Sequence, residues 1–276
     1  MRVALVTGAG GGSLGEATAR ALRDLGWRVL TTTRSCAVEE DQHPLDLTER
    51  ASVARLGEWV SSTTDRLDAL VNNAGVHLDL RSKWRAPQLV DGHEVHWRTN
   101  YLGTAQLTRL LLPSLLDTAT RHGEARVVDV VSKLHERGRN AWLWGDLAPY
   151  DSWAAYGTSK LALVHEAAEV ERRFGGQGVH GYSLHPGSVY THVADRGLET
   201  APVLARLRRL AAPLERRALA TPADGARTTV FCATSPEAVP GAYHRRSAVA
   251  EPSPEALDAD AASRLWDATS RWVDGA

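Results

Sequence analysis

Short apolar runs alternate with longer amphipathic stretches along most of this chain. Arg2–Thr7, Trp27–Thr33, Leu67–Val71, Ala125–Val131 and Val179–His185 have strand length and little polar alternation, the pattern of strands covered on both faces. Pro44–Leu47 and Gly241–His244 add two shorter strands to the series. Between them lie helical patterns: Glu16–Leu25, Thr48 to about Val60, Glu94 to about Ala119, and a stretch through Tyr156 and Lys160 to about Arg173. A further helix opens at Thr221-Pro222-Ala223-Asp224, and Ala256–Val273 forms a terminal one. Thr48 is placed to cap its helix and Pro113 to interrupt the long one. This order predicts an α/β fold, a Rossmann-type doubly wound parallel sheet of about seven strands with helices on both faces. One domain spans 1–276, with an irregular and then basic excursion at about 188–220 of the kind that covers a site as a lid.

Composition narrows the function. A length of 276 residues with 43% hydrophobic and 24% charged residues supports a sizeable core. The net charge of -1 supplies no basic field, so neither nucleic acid nor an anionic membrane is expected as a partner. Cys36 and Cys232 are too few for a disulfide framework, and no signal or spanning segment is visible. A cytoplasmic protein acting on a small molecule is the expectation.

The candidate chemistry sits where strands end. Gly8, Gly10, Gly12, Ser13, Leu14 and Gly15 form a glycine turn between a strand and a helix, the order in which backbone N–H groups hold a pyrophosphate. Arg34, where the second strand ends, replaces the acidic residue that would hold ribose hydroxyls and indicates NADP(H). Asp46 and Leu47 end a strand that faces an adenine, and Asn73, Ala74 and Gly75 are small enough for a cofactor to lie against. Ser132 ends the central strand. Tyr156 and Lys160, four apart on a helix, share a face, and an ammonium beside a phenol favours phenolate. His93-Glu94-Val95-His96 lacks the HExxH spacing, so no metal centre is expected. Trp142, Trp144 and Trp153 are candidates for walls of a substrate pocket or for covers of the sheet edge, and His185 reads as hydrogen-bonded scaffold.

Thr7-Gly8, Asn72-Asn73-Ala74-Gly75, Asn100, Ser132, Tyr156-x-x-x-Lys160 and Pro186-Gly187-x-x-x-Thr191 occur in one order over nearly the whole chain. In this the sequence resembles the short-chain dehydrogenase/reductase family. Asn100-Tyr101-Leu102-Gly103, His185-Pro186-Gly187 and the tail Ala261–Trp266 look most like its retinol-dehydrogenase-like branch. The resemblance implies that Ser132 binds a carbonyl oxygen, Tyr156 transfers the proton, and Lys160 binds the nicotinamide ribose and depresses the tyrosine pKa. Asn100 would hold a relay water. Pro186, Gly187, Val189 and Thr191 would complete the NADP(H) site, with Thr191 at the carboxamide. The sequence departs from the family pattern at Ser13, where a glycine is usual, and at Asp129 and Val131, where Asn and Ser are usual; Lys133 and His135 follow directly. The leading expectation is an NADP(H)-dependent oxidoreductase for a ketone or secondary alcohol, with a bulky apolar substrate suggested by the tryptophans. A cyclising, dehydrating or epimerising enzyme and a dinucleotide sensor are the alternatives. In the family the helices of Asn100 and Tyr156 often build a homodimer or homotetramer, variants of the fold lack that contact, and the sequence leaves the assembly open.

Overall fold

The main sheet of the computed structural model has eight strands, and the residues described are 1–35, 37–78, 84–145, 147–187 and 221–275. In chain order the elements are β1 (Val3–Val6), α1 (Leu14–Asp24), β2 (Arg28–Thr33), β3 (Gln42–Pro44), α2 (Arg50–Thr63) and β4 (Ala69–Asn72). A small hairpin, β5 (Leu89–Val90) and β6 (His93–Glu94), leads to a π-helical turn, Trp97–Leu102, and then α3 (Gly103–His122). β7 (Ala125–Val130), two 3-10 turns (Lys133–Arg137 and Asn140–Trp144), α4 (Ser152–Phe174) and β8 (Val179–His185) follow. The last elements are α5 (Pro222–Thr234), β9 (Tyr243–Arg245), β10 (Ala248–Val249) and α6 (Ala259–Asp274).

The strand order is β10-β9-β8-β7-β4-β1-β2-β3. Every pair is parallel except β9–β10, so one short antiparallel edge strand is added to the seven expected. From β1 the chain winds outward through β2 and β3, and then from β4 in the opposite direction through β7 and β8. The crevice at that reversal, outside the carboxyl ends of β1 and β4, is where an open α/β sheet binds ligands.

Both faces of the sheet are covered, which explains the unbroken apolar runs. Val3 and Leu5 pack with Leu56 of α2 and Leu107 and Leu111 of α3, while Ala4 and Val6 turn the other way to Leu22 of α1 and Cys232 of α5. Burying each such leucine contributes about 1.5–3 kcal/mol. A third cluster joins Tyr101, Leu161 and Val164 to Leu265 of α6, so the terminal helix locks the π-turn against α4.

Four local expectations are corrected. Glu94 ends β6 rather than starting a helix, and the helical path begins with the π-turn before continuing straight through Pro113 in α3. Pro113 lies on the exposed face, where the carbonyl one turn earlier can face water. The third strand is Gln42–Pro44, ahead of Asp46, because Thr31, Thr32 and Thr33 pair with it in register. Thr48 caps nothing: its N–H and hydroxyl both go to Asp46 Oδ1, at 2.8 and 2.6 Å, and Glu49 precedes α2 without a side-chain cap. Thr221 does cap α5, with Asp224 returning the bond as a capping box.

Candidate active site

The bed of the site is a knot between the ends of β1 and β4. Thr7 Oγ1 accepts the backbone N–H groups of Asn73 and Ala74, at 3.0 and 2.9 Å, and Asn73 Nδ2 donates to the Thr7 carbonyl at 2.8 Å. These bonds hold the glycine turn against Asn73 and Ala74. A Cβ on Gly8 would sit 2.9 Å from the Ala74 Cα, and one on Gly15 would sit 2.6 Å from Asn73 Nδ2 and from the Gly8 carbonyl oxygen. Gly8 also has a φ of 71°, a region that costs other residues strain. Ser13 is the N-cap of α1: its hydroxyl accepts the Glu16 N–H and donates to the Gly8 carbonyl. The serine in place of glycine therefore fixes the turn. Glu16 reaches back to accept the Gly12 N–H at 2.6 Å, which puts a carboxylate at the anion-attracting end of the helix.

Arg34, just beyond β2, is exposed and has no hydrogen bond or ion pair to a described residue. Asp46 accepts from Thr48, and the Leu47 side chain is buried in the core, its carbonyl held by Arg98 at 2.7 Å. Leu47 is thus a packing residue. The open side of the turn is at Gly10 and Gly11, where a Cβ would meet Thr33 Cγ2 at 3.9 Å and nothing within 4 Å respectively, so a pyrophosphate can approach the backbone there and the residues fit a nicotinamide dinucleotide.

Ser132 follows β7. Its hydroxyl accepts the Leu134 N–H, and its carbonyl is held by the N–H and Nδ1 of His135, at 3.0 and 2.8 Å. His135 Nε2 accepts from the Ser253 N–H, so Nδ1 carries the ring proton and the imidazole is neutral. Burial lowers its pKa accordingly. His135 thus positions Ser132, while Lys133 is exposed.

Tyr156 and Lys160 lie on the inner face of α4, whose N-terminus is capped by Asp151. Burial raises the Tyr156 phenol to about 12, and the hydrogen bond with Ser132 opposes that rise. The sequence expectation gave this moderating role to Lys160. In the structure its Nζ donates to the Val130 carbonyl at 3.0 Å, and burial lowers its pKa to about 8. Asn100 is wholly buried in the π-turn. Its Oδ1 accepts the Val76 N–H at 2.8 Å while Nδ2 donates to the Val76 carbonyl and to Ser159 Oγ, at 2.9 and 3.0 Å. Both Asn100 and Lys160 meet over Gly75, where a Cβ would lie 3.1 Å from Asn100 Oδ1 and 3.2 Å from Lys160 Nζ. The π-turn is the local distortion that brings Asn100 to this point.

Beneath the site Asp129 is fully buried. Asn72 Nδ2 donates to Oδ1 at 2.8 Å, whereas Oδ2 has no partner among the described residues. Burial and the nearby Glu166 raise its pKa to about 8, against the pull of Asn72 and Lys160. Glu166 is itself paired with Arg109 at 2.7 Å.

Sequence reasoning missed an aromatic collar. His77, two residues beyond Gly75, stacks on Tyr156 with ring centroids 4.0 Å apart, and Trp153 meets His77 edge-on at 4.9 Å. His96 lies edge-on to Tyr156 at 5.9 Å; its Nδ1 donates to Glu94 at 2.8 Å and its Nε2 accepts the Leu78 N–H. The one sequence signal was position, a ring two residues beyond the glycine of the loop that follows β4. Trp142 and Trp144 are elsewhere, in the wall of a cavity that touches neither Ser132 nor Tyr156. His185 ends β8 beside Pro186 and Gly187, and burial lowers its pKa to about 4. Val189, Thr191 and the 188–220 excursion lie outside the described residues.

A model of the short chain dehydrogenase family matches residues 2–201. The chain is 36% identical to the polyprenol dehydrogenase of Mus musculus, over 96% of this chain and 82% of that protein. It is 34% identical to retinol dehydrogenase 12 of Bos taurus, over 96% and 84% respectively. Among solved structures, an uncharacterized protein from Mycobacterium paratuberculosis superposes with a TM-score of 0.73 at 28% identity, over 100% of this chain and 94% of the other. No described helix is long and apolar enough to cross a membrane.

Proposed function

This chain belongs to the short chain dehydrogenase family and has retinol-dehydrogenase-like relatives, and from that premise we propose that it transfers a hydride between NADP(H) and a ketone or secondary alcohol with a bulky apolar body. The observation that carries this reading is the convergence of Lys160 and Asn100 over Gly75, with Tyr156 one turn from Lys160 on α4 and Ser132 beside its phenol. NADP(H) supplies the hydride acceptor or donor when bound. Ser132 and Tyr156 are placed to bind one oxygen, and the proton leaves or reaches it through the Tyr156 hydroxyl.

A phenol raised by burial keeps its proton near neutral pH, so it can act as the acid that reduction of a carbonyl needs, whereas oxidation would need the scarce phenolate. Lys160 and Asn100 would hold the ribose side of the cofactor, along with Asn73 to Gly75, and the glycine turn would hold its pyrophosphate. Arg34 supports a 2′-phosphate because its guanidinium is exposed and engaged by no described group. The apolar character of the substrate rests on His77 and Trp153 at the face of Tyr156.

C4-deuterated NADPH, supplied in turn as each of the two C4 epimers with a panel of apolar ketones, tests the proposal. Deuterium should appear on the carbinol carbon from one of the two. Consumption of ketone without deuterium transfer from either would remove the redox reading.

A further inference from the structure

Behind the catalytic helix lies a cavity of about 530 Å³, bounded by α4, α6, the π-turn and the 3-10 turn at 140–144. Its α4 wall is Ala155 and Thr158. At about 100° per residue Thr158 points roughly 200° away from Tyr156, whereas Lys160 comes back to within about 40° of it. The cavity and the catalytic pair therefore occupy opposite sides of one helix.

The lining is aromatic and rigid. Indoles of Trp97, Trp142, Trp144 and Trp272 face it and remain only partly covered by the fold. Arg50 and Arg98 stack on Trp272, at 4.2 and 5.1 Å, and Arg264 stacks on Trp144 at 4.7 Å. These guanidinium groups hold the Trp272 and Trp144 rings before any ligand arrives, which lowers the ordering cost of binding. Among the described residues the one carboxylate in the wall, Glu94, is already satisfied. It accepts from the Tyr150 hydroxyl at 3.0 Å, from His96 Nδ1 at 2.8 Å, and from the N–H groups of His96 and Trp97. A cation gains little from a carboxylate with four donors, and an anion is repelled by it.

From this lining we infer that the cavity is a second ligand site, separate from the catalytic cleft, for a neutral, flat, apolar molecule of fused- or linked-ring size. The volume falls in the range of about 300–1,000 Å³ typical of small-molecule sites. The site does not depend on the redox reading, since the residues that build it hold neither Tyr156 nor the glycine turn.

The test uses N-phenyl-1-naphthylamine, a neutral two-part aromatic fluorophore, titrated into the purified protein with and without saturating NADPH, with NADPH binding measured on the same samples. Saturable binding of one probe per chain is expected, with energy transfer from the indoles and an affinity changed less than about twofold by NADPH. Ala268→Trp fills the cavity from α6, and Trp144→Glu puts a charge at its exposed rim. Each should weaken the probe by about tenfold or more and leave NADPH binding as it was. Absence of saturable binding, displacement by NADPH, or unchanged affinity in Trp144→Glu would overturn the site. Trp144 is surface-exposed, so that variant remains informative if Ala268→Trp does not fold.

Discussion

Asp129→Asn isolates the charge of the buried carboxyl from its shape. Asp129 is wholly buried, one oxygen accepts the Asn72 amide, and its pKa rises from 3.8 to about 8 through burial and Glu166. A carboxyl with a higher pKa folded than unfolded holds its proton more tightly in the fold. Between the two values the unfolded chain therefore binds fewer protons, and stability falls as pH rises. Below pH 3.8 both states are protonated and nothing is lost; above about 8 the whole penalty is present. At ~1.4 kcal/mol for each pH unit of that interval, the penalty reaches roughly 5–6 kcal/mol as an upper figure. Lys160 acts in the opposite sense and at higher pH, since burial lowers it from 10.5 to about 8 and its cost is relieved only as it loses its proton. Buried histidines such as His135 and His185 also titrate below neutrality but are common to both proteins, so the difference between variant and wild type in that interval reports Asp129. Asparagine keeps an acceptor for Asn72 and places an N–H where the protonated acid has an O–H. Urea unfolding of both proteins between about pH 5 and about pH 8 should show the variant gaining on the wild type by roughly 1 kcal/mol per pH unit. A stability difference that stays constant across that interval would refute the burial argument, and one that shrinks would reverse it.

Arg34→Ala should weaken NADPH by roughly 10- to 100-fold, the loss of one charge-assisted contact, and leave NADH nearly unchanged in a fluorescence titration; equal losses for both would remove the 2′-phosphate role. Glu16→Gln takes the carboxylate off the Gly12 N–H at 2.6 Å, and calorimetry should show NADPH binding tightened about fivefold. Weaker binding there would mean that Glu16 shapes the turn rather than competing with an anion. Gly15→Ala drives a Cβ to 2.6 Å from Asn73 Nδ2 and should cost about 1–3 kcal/mol in thermal unfolding together with most of the cofactor affinity; a variant that binds and melts like the wild type would show that the two turns are not in contact.

How much of this could be read from the chain depends on how local each cause is. The parallel sheet was legible because two-sided burial writes itself into every central strand, as in Val3 to Val6 and Ala125 to Val130. Capping was legible at Thr221, where Asp224 three residues on completes the box, but failed at Thr48, whose hydroxyl turns back to Asp46. Asn100 was identified by motif, whereas the π-turn around it was not. The turn carries Asn100 to its pair of bonds with Val76, 24 residues away, and no periodicity encodes such a contact. His77 escaped for the same reason: a lone imidazole after Gly75 becomes meaningful only when α4 brings Tyr156 against it. The tryptophans between Ser132 and Tyr156 read as one group but divide, Trp153 against the His77 ring that stacks on Tyr156, and Trp142 with Trp144 into the cavity behind α4. Asp129 stood out in the sequence as a carboxylate where an amide is usual, and only its complete burial shows that the difference is a buried proton.

The central claim is that the Tyr156 hydroxyl, with Ser132 beside it, moves the proton. Single-turnover reduction of an apolar ketone by NADPH-loaded wild type and Tyr156→Phe, with cofactor affinity measured on the same samples, tests it most directly. Phenylalanine keeps the stacking surface for His77 and removes only the oxygen. The account predicts NADPH affinity within about twofold and turnover lower by roughly a thousandfold. Turnover within about tenfold of the wild type, with cofactor still bound, would contradict it.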